Sequence, residues 1–250
     1  MPDFSAMKLG KRFPKIQSNR LMLANYLPPE LPDPPESVNY TFGVTNWGAL
    51  LNNQLGCCTI SGVGHAIQAW RLSLGAPLLD IPDSIIENYY SKWDGYVPGD
   101  SSTDRGGIEV DVLNQWRKEG FIINGVGHML KGYVDPSPRN LKHIHQSIYL
   151  FGNVYIGVAL PISAQGQTTW DLEPGYEGEP GTWGGHCVIA VSYRPGFIGF
   201  ISWGNYMEMT ERFWLACCDE SHTLLSDTDW RNPHGVKYEA LLSDLSKVAA

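Results

Sequence analysis

The sequence predicts a mixed α+β fold, with helices gathered in the first half and strands in the second. Three observations carry this. Ile60, Val63, Ile67 and Trp70 recur at three and four residues, one face of a helix. Asn153 to Leu160 is a short run apolar on both faces, the mark of a central strand. Two further apolar runs, Gly184–Tyr193 and Phe197–Gly204, flank Pro195-Gly196, a hairpin signature.

Taken in order, the chain begins with an arm, residues 1–46. Its stretch Leu27-Pro28-Pro29-Glu30-Leu31-Pro32-Asp33-Pro34-Pro35 excludes helix and central strand and predicts extended, partly polyproline backbone. It reads as a strap over the fold, or as a propeptide-like arm lying in a cleft. The second segment, 47–250, holds the folded body. Residues 47–135 are expected to form a helical lobe and 136–250 a mainly β lobe.

Gly56 permits a tight turn, and Cys58 then opens the first helix. Unpaired N–H groups and the dipole at a helix start favour an anion, so a thiol there is expected to have a lowered pKa. Cys57 is adjacent, and either sulfur could be the nucleophile; the helical phase and Thr59 favour Cys58. His65, two turns on, is expected to pack or face solvent. A helix is predicted around Ile85, Ile86, Tyr89 and Tyr90. Another carries Val110, Leu113 and Trp116 and stops at Gly120. Ser137-Pro138 reads as a helix start, with Leu141, Ile144, Ile148 and Phe151 as the buried face and Gly152 as the stop. His143 and His145 are two apart and face different ways on that helix, which speaks against a metal pair. Phe213-Trp214-Leu215 reads as a last strand, Asp219–Gly235 as polar loop, and Tyr238–Val248 as a terminal helix.

A nucleophile needs a base, and His186 opens the first strand of the late hairpin. The hairpin brings the end of the second strand back beside it, so Ser202 and Trp203 are expected near the imidazole. Ser202 is the expected orienting group, and Trp203 the expected shield against water. Trp183, in the long loop before His186, is a candidate cleft wall or simple loop packing.

A cysteine opening a helix, a Gly-His entering a late hairpin and a Trp-Gly at the next strand's end resemble the papain-like cysteine peptidases. The pattern is closest to a branch common in phage and bacterial genomes. That branch has an Asn-rich loop with Leu-Gly before Cys-Thr, and a leading Lys-Leu-Gly-Lys, here Lys8-Leu9-Gly10-Lys11. The resemblance implies a two-lobed fold, with an N-terminal helical lobe and a C-terminal antiparallel β-barrel-like lobe. It implies acyl transfer through Cys58 and His186 on a peptide or protein substrate, with no cofactor and no metal. It also implies a side-chain amide upstream of the nucleophile, aimed at charge that appears only in the transition state. Asn52 stands six positions before Cys58, where the family has its amide. Gln54 is the usual residue type but two positions too close. Both could equally be turn-forming amides. Gly106 and Gly107 match a cleft-lining Gly-Gly segment whose backbone pairs with extended substrate. The family's Asn, two residues before the Trp, is replaced here by Ile201, so a non-catalytic papain-fold module, for example a virion component, is the competing reading.

Charge and cysteine usage bound the rest. A net charge of −8 and the absence of a polybasic stripe argue against nucleic-acid and anionic-membrane partners. Five cysteines with two adjacent pairs are a poor disulfide framework, which suggests a reducing compartment, cytoplasmic or virion-associated. A homo-oligomeric or virion assembly is possible. No secretory signal is evident at the N-terminus.

Overall fold

The computed structural model describes residues 3–17, 20–27, 33–226 and 237–248. Strand β1 (Val38–Asn39) ends the arm. Helices α1 (Cys58–Ser73), α2 (Asp83–Asp94) and α3 (Glu109–Glu119) follow. Next come β2 (Phe121–Ile123), β3 (Val126–His128), β4 (Leu130–Val134), α4 (Leu141–Phe151), β5 (Val154–Leu160) and β6 (Thr169–Trp170). The hairpin strands are β7 (Gly184–Arg194) and β8 (Phe197–Ser202), followed by β9 (Asn205–Thr210), α5 (Glu211–Cys217), β10 (Cys218–Ser226) and α6 (Tyr238–Val248). No helix among the described residues is long and apolar enough to cross a membrane.

The described residues form two large cores on opposite faces of the sheet, and a smaller third around Leu23, Phe151 and Leu241. The first gathers Ile60, Val63, Ile67 and Trp70 of α1 with Ile86, Tyr90, Leu113 and Trp116. Trp70 tilts onto Trp116 at 5.8 Å and donates to the Phe151 carbonyl at 2.9 Å, so its polar edge is satisfied inside the core. The second core lies on the other face of the sheet, among Ile156, Val188, Phe200, Trp170 and Phe213. α1 is buried around nearly its whole circumference. Gly62 lets it approach the sheet: a Cβ there would stand 2.9 Å from the Tyr155 ring and 3.2 Å from Cys187 Sγ.

The large sheet runs β4-β10-β5-β7-β8-β9-β6, with β1 added to β7. Its pairings are antiparallel except β6 with β9. The path ends at β4 and β6 without closing on itself. The expected central strand is β5, held between β10 and β7. The expected hairpin is β7–β8, with Ile189 opposite Ile201.

Three expectations change. Phe213-Trp214-Leu215 lies in α5, because the Thr210 hydroxyl accepts from the Phe213 N–H at 3.1 Å and starts a helix there. Asp219 to Ser226, expected as loop, belongs to buried strand β10. Its polar residues find partners inside the protein: Asp219 and Glu220 on Lys11, His222 on Asp135 and Thr223 on Ser147. The α4 cap is Asn140, whose side chain accepts from the His143 N–H at 3.2 Å, and not Ser137. His65, expected to pack or to face solvent, packs: it is buried, with Nε2 bonded to the Gly48 carbonyl at 3.0 Å. Residues 28–32 of the proline-rich stretch and 227–235 of the expected polar loop lie outside the described residues.

Candidate active site

Cys58 stands at the first position of α1, buried in the first core. The two adjacent cysteines point different ways. Cys57 Sγ faces the helical core, 3.5 Å from Ser61 Oγ and 3.8 Å from the Leu50 carbonyl. Cys58 faces the sheet, where the nearby backbone N–H groups of Cys187 and Gly10 favour its anion. Cys187 is the neighbour of His186 in β7.

His186 is buried, and its Nε2 lies 2.8 Å from Ser202 Oγ at the end of β8. Its Nδ1 has no hydrogen-bond partner. Trp203 covers the ring face, stacked at 4.6 Å and 17°. Trp203 and Gly204 form a two-residue turn between β8 and β9, with φ of +47° and +81°. A bulky residue in the left-handed region costs about 1 kcal/mol or more, and such strain gathers where geometry serves a site. Trp183 packs beside Trp203 at 5.7 Å. The hairpin thus brings His186, Ser202, Trp203 and Trp183 together.

The upstream amides separate. Asn52 is buried, and its Nδ2 donates to the Leu55 carbonyl at 3.0 Å and the Lys8 carbonyl at 3.3 Å. Gln54 is exposed on the turn. Trp203 Nε1 donates to the same Lys8 carbonyl at 3.2 Å. One carbonyl of the arm therefore sits between Asn52 and the tryptophan that covers His186.

The arm fills the groove beyond. Gly10 O accepts from the Gly107 N–H at 2.8 Å, Arg12 N–H donates to Gly107 O at 2.8 Å, and Lys11 N–H donates to Gly185 O at 3.0 Å. Lys11 and Gly107 pair in parallel sense. A Cβ on Gly10 would overlap the carbonyl of Gly56, so only glycine passes at that depth. Of the two readings of the arm, this backbone geometry is that of a segment lying in the cleft. Gly106 is held by its N–H to Tyr90 OH at 2.8 Å, and Tyr90 OH donates to Asp104 Oδ1 at 2.7 Å.

Covered in this way, both titrating groups are buried, and burial favours their neutral forms. Burial pushes the Cys58 thiol up to about 12, against the backbone N–H groups of Cys187 and Gly10 that favour its anion. The lowered pKa expected from the helix start is overridden by desolvation. Burial pulls His186 down to about 3, with His65 adding to the shift.

Beside the groove lies a feature that the sequence did not flag. Lys11 Nζ is 3.0 Å from Asp219 and 3.1 Å from Glu220 Oε1. Glu109, with both carboxylate oxygens lacking a hydrogen bond, lies behind, its Oε2 3.6 Å from His222 Nε2. His222 Nδ1 bonds Asp135 Oδ1 at 2.5 Å, and Arg20 Nε bonds Asp135 Oδ2 at 2.6 Å. One signal for this was present: Glu109 precedes Leu113 and Trp116 by four and seven residues, which places it on the buried face of α3.

No family model matches the chain, and no curated protein matches it. Solved structures do. Xylellain, a cysteine protease from Xylella fastidiosa, matches with a TM-score of 0.66 at 15% identity, covering 90% of this chain and 97% of that one. The cysteine protease CMS1MS2 from Carica candamarcensis, solved with E-64, matches with a TM-score of 0.55 at 17% identity, covering 79% and 99%. Digestive procathepsin L 3 from Tenebrio molitor larval midgut matches with a TM-score of 0.58 at 16% identity, covering 84% and 75%. The chain has the papain-like fold, with a helical lobe and a β lobe.

Proposed function

We propose that the chain is a cysteine peptidase or amidase acting through Cys58 and His186, held in a covered state by residues 8–12. The observation that carries this is the surround of one imidazole: Ser202 at 2.8 Å on Nε2, Trp203 stacked over the face, and Nδ1 left unbonded. An imidazole tethered on one nitrogen and open on the other is suited to proton transfer.

The chemistry follows from these groups. His186 takes the proton of Cys58, and the thiolate attacks a substrate carbonyl. The developing oxyanion is met by the Asn52 amide and the Cys58 backbone N–H. The imidazolium gives its proton to the leaving amine as the C–N bond breaks, which leaves a thioester on Cys58. Water, deprotonated by His186, attacks that thioester, and the thiol regains the proton. Ser202, one position after Ile201, takes over the holding of the ring and fixes it through Nε2. Exit of the arm admits water and solvates charge on both groups. The thiol pKa then falls and the imidazole pKa rises.

A scaffold role without catalysis rests on Ile201 replacing the Asn and on the buried thiol. Incubating the full chain and its Gly10→Ala variant with a mixed peptide library, read by mass spectrometry, separates the two. Peptide cleavage that disappears in Cys58→Ser supports the hydrolase. A folded protein that cleaves nothing with the arm loosened supports the scaffold.

A further inference from the structure

We infer that the chamber of Glu109, Asp219 and Glu220 is a side-chain subsite of the groove, selecting substrates with a lysine or arginine close to the bond cleaved. This rests on the hydrolase reading above. Lys11 is the stand-in that shows what the chamber takes.

The backbone of Lys11 is seated as part of an extended peptide, between Gly185, next to His186, and the Gly106-Gly107 edge. Its side chain turns off the groove and is 1% exposed. Room for the stem is made by Gly157 in β5, where a Cβ would collide with Lys11 Cε. At the end the ammonium meets Asp219 Oδ1 and Oδ2 at 3.0 Å, Glu220 Oε1 at 3.1 Å and the Arg12 carbonyl at 3.4 Å.

The chamber holds more acceptor capacity than a lysine uses. Glu109 is fully buried with both oxygens unbonded. Burial, and then Glu220, push its pKa well above the ordinary carboxylate value. A guanidinium carries five N–H donors in a planar fork against three on an ammonium, and pairs with carboxylates two bonds at a time. Arginine therefore suits the chamber at least as well as lysine. A neutral or acidic side chain would leave Asp219 without a cation, and Glu220 and Glu109 with His222 alone, which is costly.

There is also a way in. A cavity of about 450 Å³ adjoins the chamber, lined by Lys11, Ile108, Ala159, Gly184, Gly185 and Asp219. The Asp219 side chain is 33% exposed, so the carboxylate reaches from chamber to groove.

The test has two arms, both on the full chain. In Lys11→Ala, n-butylamine and n-propylguanidine are expected to raise the melting temperature while n-butanol does not, and the rise is lost when Asp219→Asn and Glu220→Gln are added. Stabilisation by n-butanol as strongly as by the amines overturns the inference. So does stabilisation by Zn²⁺ and not by amines, which would make Glu109, Glu220 and His222 a metal site. In the second arm, peptidyl epoxides carrying Arg, Lys or norleucine near the warhead are compared by the rate of Cys58 modification in Gly10→Ala. The Arg and Lys probes are expected to react about 30-fold faster than norleucine, the scale of one buried charge pair. The ratio should fall towards one in Asp219→Asn/Glu220→Gln, each probe's rate being normalised to the iodoacetamide rate of the same protein. Equal rates with all three probes, while iodoacetamide labels Cys58, overturn the basic subsite alone. Failure of every reagent, iodoacetamide included, to modify Cys58 overturns the hydrolase reading and the subsite with it.

Discussion

The hydrogen bond between His186 Nε2 and Ser202 Oγ tethers the ring by one nitrogen. A hydroxyl both donates and accepts, so it can follow the ring through both protonation states. One such bond is worth about 1 kcal/mol. Ser202→Ala should therefore lower the rate of Cys58 acylation by roughly 5- to 10-fold, with the fold intact. Ser202→Asn should not rescue it, because residue 202 is adjacent to Trp203 and not two before it. Kinetics with a fluorogenic peptide amide and circular dichroism check both. Cys57 offers the control: its sulfur faces Leu50 and Ser61, so Cys57→Ala should leave the labelling rate of Cys58 within about twofold and act on stability alone.

At the scale of elements, the arm decides whether the site is open. Residues 8–12 cross both lobes and touch the backbone of α1's leading turn, the Gly106-Gly107 edge and β7. A Cβ at Gly10 would collide with backbone, which cannot rotate away. Overpacking of this kind costs about 1–3 kcal/mol, and here it falls on the seated arm. Gly10→Ala is expected to raise the rate of Cys58 alkylation by about tenfold or more; hydrogen exchange should show protection lost at Lys11 and Arg12 while α1 keeps its own.

The sequence made some of these elements plain and hid others for physical reasons. Cys58 at a helix start and His186 after two glycines carry local signals, and the Pro195-Gly196 turn sets Ser202 and Trp203 beside His186. α5 was hidden because Phe213-Trp214-Leu215 is apolar in both periods, and the deciding cap is a single threonine. β10 was hidden because Glu220 and His222 look like surface, and their partners Lys11, Asp135 and Glu109 are remote in the chain. The arm's place depends on glycines at 56, 106, 157 and 185, spread over 130 positions (185 − 56 + 1). The Cys58 pKa went the other way because a helix start sets only a local bias, while burial comes from the whole assembly.

At the scale of the molecule, the buried ion cluster ties the arm to the sheet and sets a pH limb. Burial lowers the pKa of His222, but Asp135, Glu220 and Glu109 outweigh it and raise it to about 10. A histidine raised in the folded state contributes stability that is fully present below its unfolded value, about 6.5, and is lost as pH rises through the folded one. Asp94, raised to about 7 by burial, adds in the same direction below neutrality, and the buried thiols add above pH 9. Urea midpoints should therefore fall steadily from pH 6.5 to 9, by an amount on the order of a few kcal/mol in total at about 1.4 kcal/mol per unit. His222→Asn should be less stable at pH 6.5 and show a much flatter slope across that range. A slope unchanged by the substitution would place the limb elsewhere.

The pairing of sulfur and imidazole is tested most directly by the alkylation rate of Cys58 in Gly10→Ala, followed by peptide mass spectrometry from pH 5 to 9, with and without His186→Ala. With the arm loosened and His186 present, Cys58 should react rapidly at near-neutral pH. Removing His186 should slow it by at least about 100-fold at pH 6.5 and shift the rise in rate towards pH 8.5, the range of an ordinary thiol. Identical pH profiles in the two proteins would contradict the pairing and leave the papain-like fold without its chemistry.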